Sequence, residues 1–287
     1  MKLTILGTGN AMAVQRYNTC FALSEGGKHF LVDTGGGNRI LKVLKDTKIE
    51  TADIHDIFIT HEHIDHLLGL VWMIRVIGTK MNQGTYEGEL RIYCHSVLVE
   101  TIQTIANLTI QKKVCKHMGE RIRFIPLKHG DRAVILGNEA TFFDIYSTKA
   151  KQFGFTMTLL RDTPGCPPQG GAASQTDPAG KQAIKFTCAG DEPYNEKDYE
   201  FVKESDWLMH EAFCLYSEAE EFKPYEKHHS TVKEACQTAE KLQIPNLILY
   251  HTEEKNLKNR KELYTKEGKT YYSGNLYVPD DLETFEL

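Results

Sequence analysis

Short apolar runs broken by glycine-bearing turns dominate the first third of the chain. Leu3–Leu6, Thr19–Leu23 and His29–Val32 read as a strand meander, separated by Gly7-Thr8-Gly9 and Gly26-Gly27. The period then changes: Ile40, Leu41 and Leu44 fall at helical spacing within Asn38–Lys45. Ile54–Thr60, with apolar Ile57, Phe58 and Ile59, is predicted as a strand running straight into His61, and Leu67–Ile77 as a helix. Further strands are expected at Leu90–Cys94, Ile122–Leu127, Arg132–Leu136, Thr141–Tyr146, Phe155–Leu160 and Ala183–Ala189, with a helix at Val97–Leu108. The last third predicts helices at Asn195–Val202 and Thr231–Leu242 and strands at Trp207–Met209 and Leu247–Tyr250. Strand blocks alternating with helices imply an α/β class in which helices cover sheets, an αββα sandwich. Residues 161–182, RDTPGCPPQGGAASQTDPAGKQ, interrupt this order. Nothing there makes an apolar face, so a flexible Gly/Pro-rich loop within one domain spanning 1–287 is expected.

Composition adds exclusions. The 287 residues are 41% hydrophobic and 25% charged, which rules out collagen-like and wholly disordered chains and leaves ample material for a core. A net charge of −5 gives no strong field to attract a large nucleic acid or an anionic membrane. The seven cysteines include no C-x-x-C pair, so neither a zinc knuckle nor a disulfide framework is indicated. The opening MKLTILGTGN has no signal-peptide character and no stretch reaches the length of a membrane span, so a cytoplasmic location with no membrane partner is expected.

The chemistry concentrates in His61-Glu62-His63-Ile64-Asp65-His66, between an apolar strand and an apolar helix. In an extended segment, positions i and i+2 point the same way, so His61 and His63 can grip one ion with two imidazoles. Asp65 and His66 fall at the helix start, turned towards a second ion. Imidazole and carboxylate ligands suit two divalent ions, zinc first, with manganese or iron as alternatives, and such a pair can generate hydroxide at neutral pH.

This H-x-H-x-D-H pattern resembles the signature of the metallo-β-lactamase superfamily, and the remaining motifs resemble its ribonuclease Z branch. Leu6-Gly7-Thr8-Gly9-Asn10, Arg16-Tyr17-Asn18-Thr19 and Leu31-Val32-Asp33-Thr34-Gly35-Gly36-Gly37 resemble that branch's glycine loop, Arg-x-x-Ser/Thr turn and Asp-x-Gly-x-Gly turn. Gly190-Asp191 resembles its Gly-Asp-Thr motif with Glu192 replacing threonine, and WLMHEAF at Trp207–Phe213 its His-Glu-Ala motif. His229-Ser230-Thr231 resembles its His-Ser-Thr helix start, His251 its strand-end histidine, and Tyr272–Leu282 its final strand pair. The resemblance implies a metal set of His61, His63, Asp65, His66, Asp191 and His251. It further implies that Glu211 orients His229 and raises its basicity, that His229 is the general acid, and that Asp65 shares in catalysis. His210 is given a supporting part, and His228 is expected to face solvent. His229 precedes Thr231 and Glu234 at capping-box spacing, beside free helix N–H groups that suit a phosphate or an oxyanion. The isolated His29, His55, His95 and His117 carry no expected role.

Two departures qualify the resemblance. The family places another ligand histidine where this chain has Thr148, leaving His129 as the nearest upstream histidine in what reads as a turn. Thr148, Lys149 and Lys151 in that segment become candidate substrate contacts. Arg161 and Lys181 are the only cations where tRNA-processing relatives carry an RNA-gripping arm, which argues against a large RNA. The expected function is therefore a metal-dependent phosphodiesterase for a small phosphodiester, a cyclic nucleotide or short oligonucleotide. Its rivals are tRNA 3′ processing, lactone or thioester hydrolysis on the same metal core, and a non-catalytic metal-binding protein. A homodimer is usual in the resembling family.

Overall fold

A computed structural model describes residues 1–161 and 182–287. The first sheet comprises β1 (Lys2–Gly7), β2 (Cys20–Glu25), β3 (Lys28–Val32), β4 (Ile54–Phe58), β5 (Leu90–His95) and β6 (Ile122–Leu127). The second begins with β7 (Arg132–Ile135), β8 (Asn138–Asp144), β9 (Phe153–Arg161) and β10 (Gln182–Cys188). It continues with β11 (Trp207–Glu211), β12 (Asn246–Tyr250) and β13 (Asn275–Tyr277), whereas β14 (Thr284–Glu286) returns to the edge of the first sheet beside β1. The helices are α1 (Arg39–Asp46), α2 (Ile64–Gln83), α3 (Ser96–Thr109), α4 (Lys112–Cys115), α5 (Tyr199–Val202), α6 (Ala219–Phe222), α7 (Val232–Lys241) and α8 (Arg260–Gly268).

Period-two alternation explains the layers. Phe153, Phe155, Met157 and Leu159 of β9 face the space between the sheets, where they meet Leu3, Ile5, Phe21, Phe30, Val32 and Phe58 of the first sheet. Phe155 is central, with its ring against those of Phe21, Phe30, Phe58, Phe142 and Phe186. Truncating such a residue to alanine costs about 3–5 kcal/mol. The alternate residues Ala22, Leu31, Ile57 and Ile92 face outward and pack with Ile40, Leu70, Ile74 and Leu98 of α1, α2 and α3. On the far side Leu208, Leu247 and Leu249 pack with Val232, Ala235, Ala239 and Tyr264 of α7 and α8. Two mixed sheets flanked by helices result, the expected αββα order.

The differences from the sequence reading are local. Helix α2 begins at Ile64 and is longer than the apolar stretch that announced it, because His63 is extended at its N-cap and Asp65 sits in its first turn. The turn after β3 clasps this start: the Thr34 backbone N–H donates to the His66 carbonyl (3.0 Å), and Gly69 N–H donates to the Gly35 carbonyl (2.8 Å). A Cβ on Gly69 would lie 1.9 Å from the Thr34 carbonyl oxygen, so only glycine permits this approach. The expected helix Asn195–Val202 divides into a 3₁₀ turn at Glu196–Asp198 and the four-residue α5. The expected final strand pair is corrected: β13 and β14 lie in different sheets. Between them Asp281 accepts from the Thr8 and Tyr17 backbone N–H groups, while Asp280 pairs with Arg16. Of the loop expected over 161–182, the two end residues Arg161 and Gln182 pair instead as strand ends, and 162–181 lie outside the described residues. No described helix is long and apolar enough to cross a membrane.

Candidate active site

The two sheets deliver their strand ends to one place. Beyond β4, His61 and His63 converge, with His61 Nε2 2.8 Å from His63 Nδ1. From the second sheet Asp191 follows β10, and its Oδ2 lies 3.6 Å from His61 Nε2, 3.4 Å from His66 Nε2 and 3.5 Å from His251 Nε2. Asp65 Oδ2 is 3.4 Å from the Nε2 atoms of both His66 and His251. Two adjacent groups result, His61, His63 and Asp191, and Asp65, His66 and His251, with the Asp191 carboxylate facing both. The structure brings all six residues into these two groups.

These groups fit a pair of divalent ions. Two ligands at about 2.0–2.1 Å on one tetrahedral ion stand about 3.4 Å apart, close to the spacings found here. His66 Nε2 and His251 Nε2 are buried without a hydrogen-bond partner, as ligand atoms awaiting an ion would be. Burial presses His61 well below the usual imidazole value. Burial works to raise Asp191, yet the neighbouring His61, His66 and His251 more than offset it and hold the carboxyl well below its usual range. A neutral imidazole and a charged carboxylate are the ligating forms.

A surrounding layer of buried polar side chains orients these ligands. Asp33 Oδ2 accepts from His66 Nδ1 (2.7 Å) and from Thr60 Oγ1 (2.9 Å), and Asp33 Oδ1 accepts from Thr60 N–H (2.9 Å). His61 Nδ1 lies 2.9 Å from Thr60 Oγ1. Gln152, buried at 1% exposure, donates from Nε2 to Asp191 Oδ1. Asp33 (φ 54°) and His251 (φ 59°) both leave their strands in the left-handed region, strain of about 1–2 kcal/mol each that concentrates at this site.

His229 lies beside Asp191, and its surroundings correct one expectation. Its Nδ1–H donates to the Asp191 backbone carbonyl (2.8 Å), whereas Glu211 Oε2 is 3.7 Å away. Glu211 is committed elsewhere: Oε1 accepts from the Ser230 N–H and from Ser230 Oγ (2.6 Å). Glu211 therefore fixes Ser230 and the start of α7, and a peptide carbonyl fixes the imidazole. Nor is His229 made more basic; burial, reinforced by His251, lowers it to about 3. The Thr231–Glu234 capping box is present at α7. His210 is buried, bonding the Glu211 carbonyl through Nδ1 (2.7 Å).

The turn from β8 to β9 frames the mouth. Lys149 Nζ is 3.5 Å from His229 Nε2 and 4.0 Å from Glu192 Oε1. Glu192 accepts from Ser147 Oγ (2.6 Å) and Thr148 N–H (3.4 Å), so the residue replacing the family's threonine holds this turn. Thr148 joins neither ligand group, and its hydroxyl meets His228 Nδ1 (2.6 Å) on the exposed rim. Lys151 points elsewhere, 4.0 Å from Asp144 and 5.5 Å from the Phe153 ring centre. His129 is outside the site, its Nδ1 accepting from the Asp144 N–H (3.2 Å). His95, expected to be idle, accepts from Leu98 N–H at the start of α3 and faces Glu62 at 3.2 Å. Sequence reasoning missed Thr60, Gln152, Ser230 and any role for Asp33 and Glu192. The one usable signal was Asp33 within its glycine-rich turn.

Fold and site together define a metallo-β-lactamase-fold, ribonuclease Z-like metal-dependent hydrolase. The metallo-β-lactamase fold protein YhfI from Bacillus subtilis superposes with a TM-score of 0.74 at 17% identity, covering 99% of this chain and 98% of that one. The short form of human tRNase Z superposes at 0.70 with 20% identity, over 100% and 99% of the two chains. Ribonuclease Z from Thermococcus sibiricus is 27% identical across all of this chain and 96% of its own length. The model of the family described as Anti-Pycsar protein Apyc1 matches residues 1–271, and the chain belongs to that family.

Proposed function

We propose that the chain hydrolyses a small phosphodiester, a cyclic nucleotide or short oligonucleotide. The observation that carries this reading is the pairing of Lys149 Nζ with His229 Nε2 at 3.5 Å, directly beside Asp191. An ammonium and an imidazole there can hold the oxygens of an anionic diester, a need that a neutral lactone or thioester lacks. His61, His63, Asp65, His66, Asp191 and His251 would hold two divalent ions, and their imidazole-rich set favours zinc. The ions would supply Lewis acidity and a water of lowered pKa.

The chain's own groups do the rest. Lys149 binds a phosphoryl oxygen and is steadied by Glu192. The Asp191 carbonyl fixes His229 with Nε2 turned to the mouth. A diester arriving beside that nitrogen brings the negative charge that favours its protonation, so His229 can pass a proton to the departing oxygen. The net charge of −5 and the two cations, Arg161 and Lys181, in 161–182 favour a small substrate over tRNA. Six free cysteines among the described residues accord with a cytoplasmic location.

The test is turnover of bis-p-nitrophenyl phosphate, 2′,3′- and 3′,5′-cyclic nucleotides, a pre-tRNA and a homoserine lactone by the metal-loaded protein. His229→Ala should reduce diester turnover about 10²-fold or more. Near-full activity of that variant, with lactone preferred, would transfer the reading to ester chemistry. Efficient pre-tRNA cleavage would overturn the small-substrate claim.

A further inference from the structure

Gln152 stands where the two halves of the site meet. It precedes the apolar alternation of β9, is 1% exposed, and its backbone carbonyl accepts from the Ile145 N–H (3.1 Å). Its amide nitrogen donates to Asp191 Oδ1 and lies 2.8 Å from His61 Nδ1, while its Oε1 is buried without a partner. Gly190 makes room for it: φ is 79°, and a Cβ there would lie 3.2 Å from both Cδ and Oε1 of Gln152. With Oδ1 engaged by the amide, Asp191 turns Oδ2 alone towards His61, His66 and His251.

The two groups are unequally equipped. Asp65, His66 and His251 bring a carboxylate of their own and can share Asp191 Oδ2. Among the described residues His61 and His63 have Asp191 as their only grouped carboxylate. The side chain reaching the far side of His61 is an amide that binds the shared carboxylate. We propose that Gln152 is a positioning residue that aims Asp191 Oδ2 at the His61–His63 group, and that this group, with no second carboxylate, depends on that aim and binds its ion more weakly than the Asp65–His66–His251 group. The inference rests on the two-ion reading of the site.

Metal affinity is the direct readout. The EDTA-stripped full chain is titrated with Mn²⁺ by calorimetry and by electron paramagnetic resonance. The wild type should show two separated binding steps, with an exchange-coupled signal arising only in the second. Gln152→Ala, and Gln152→Met as the variant that keeps the volume, should weaken the second step about 10–100-fold and leave the first within about threefold, the usual effect of losing a partner behind a ligand. A purely structural role would instead lower the stripped protein's Tm and shift both steps together. Two equal steps in the wild type, or an unmoved second step in Gln152→Met, would overturn the proposal. Turnover is measured separately, so unequal steps without diester hydrolysis would sink the proposed function and leave this inference standing.

Discussion

Replacing Asp33 with asparagine isolates the support behind His66. Asparagine tolerates the left-handed φ of 54°, and its remaining oxygen can still accept from Thr60 N–H, so the turn should survive. What disappears is the oxygen that accepts from His66 Nδ1 at 2.7 Å and from Thr60 Oγ1 at 2.9 Å. A hydrogen bond to a charged group contributes about 1.5–3 kcal/mol. Loss of a carboxylate behind a ligating imidazole typically reduces metal affinity 10–100-fold, or about 1.4–2.8 kcal/mol. The two routes agree. Burial pushes His66 down, but the charges of Asp65 and Asp33 hold it well above the usual imidazole value, so Asp33 also steadies a proton that a metal must displace. The loss in affinity should therefore be largest at high pH and shrink as pH falls. Chelator-competition titration with Zn²⁺ at pH 6 and 8 measures this. A variant that binds within about twofold of wild type at pH 8, with unchanged Tm, would refute the reasoning.

Lys149→Ala should raise KM for an anionic diester about tenfold, the scale of a near-surface charge pair, and leave a neutral ester unaffected. Steady-state kinetics on both substrates checks this, and an equal change on each would count against a phosphate contact. Burial, then the Asp144 carboxylate, pushes Asp198 up to about 7, with Oδ1 buried and unpartnered. The folded state therefore holds that proton more tightly than the unfolded chain, and stability falls as pH rises from about 4 to about 7. Asp198→Asn should raise Tm at pH 8 by about 2–4 °C, the equivalent of about 1 kcal/mol after allowance for solvent screening, and leave it unchanged near pH 4.

Legibility in the sequence followed the range of the interactions. His61, His63, Asp65 and His66 were readable because four ligands fall within six residues where a strand meets a helix, so local geometry alone brings them together. Asp191 and His251 follow ordinary strands, and only the ordered series of resembling motifs assigned them. Gln152 was illegible because its partners, His61 and Asp191, lie 91 and 39 positions away. Glu192 looked like a lost threonine, and its use in holding Ser147 and Thr148 exists only once β8 and β10 are assembled. Helix α8 went unpredicted because its fully buried positions, Arg260, Tyr264 and Gly268, carry no aliphatic side chain, with Arg260 bonded to Thr252, Pro279 and Asp280. The motifs placed Glu211 near His229, and the two lie 3.7 Å apart, but motif spacing could not show that the Asp191 carbonyl takes the imidazole's Nδ1–H.

The division of ligands between the two sheets constrains when the protein can acquire its ions. His61 and His63 emerge early in synthesis, but their carboxylate is Asp191; Asp65 and His66 must wait for His251. The His61–His63 group lacks its carboxylate until β10 has been made, and the two groups are complete together only once the chain has passed β12. Completion of the paired site is thus deferred until almost the whole polypeptide has been made. The ion then selected reflects the pool that meets the folded protein, not the pool around the nascent chain.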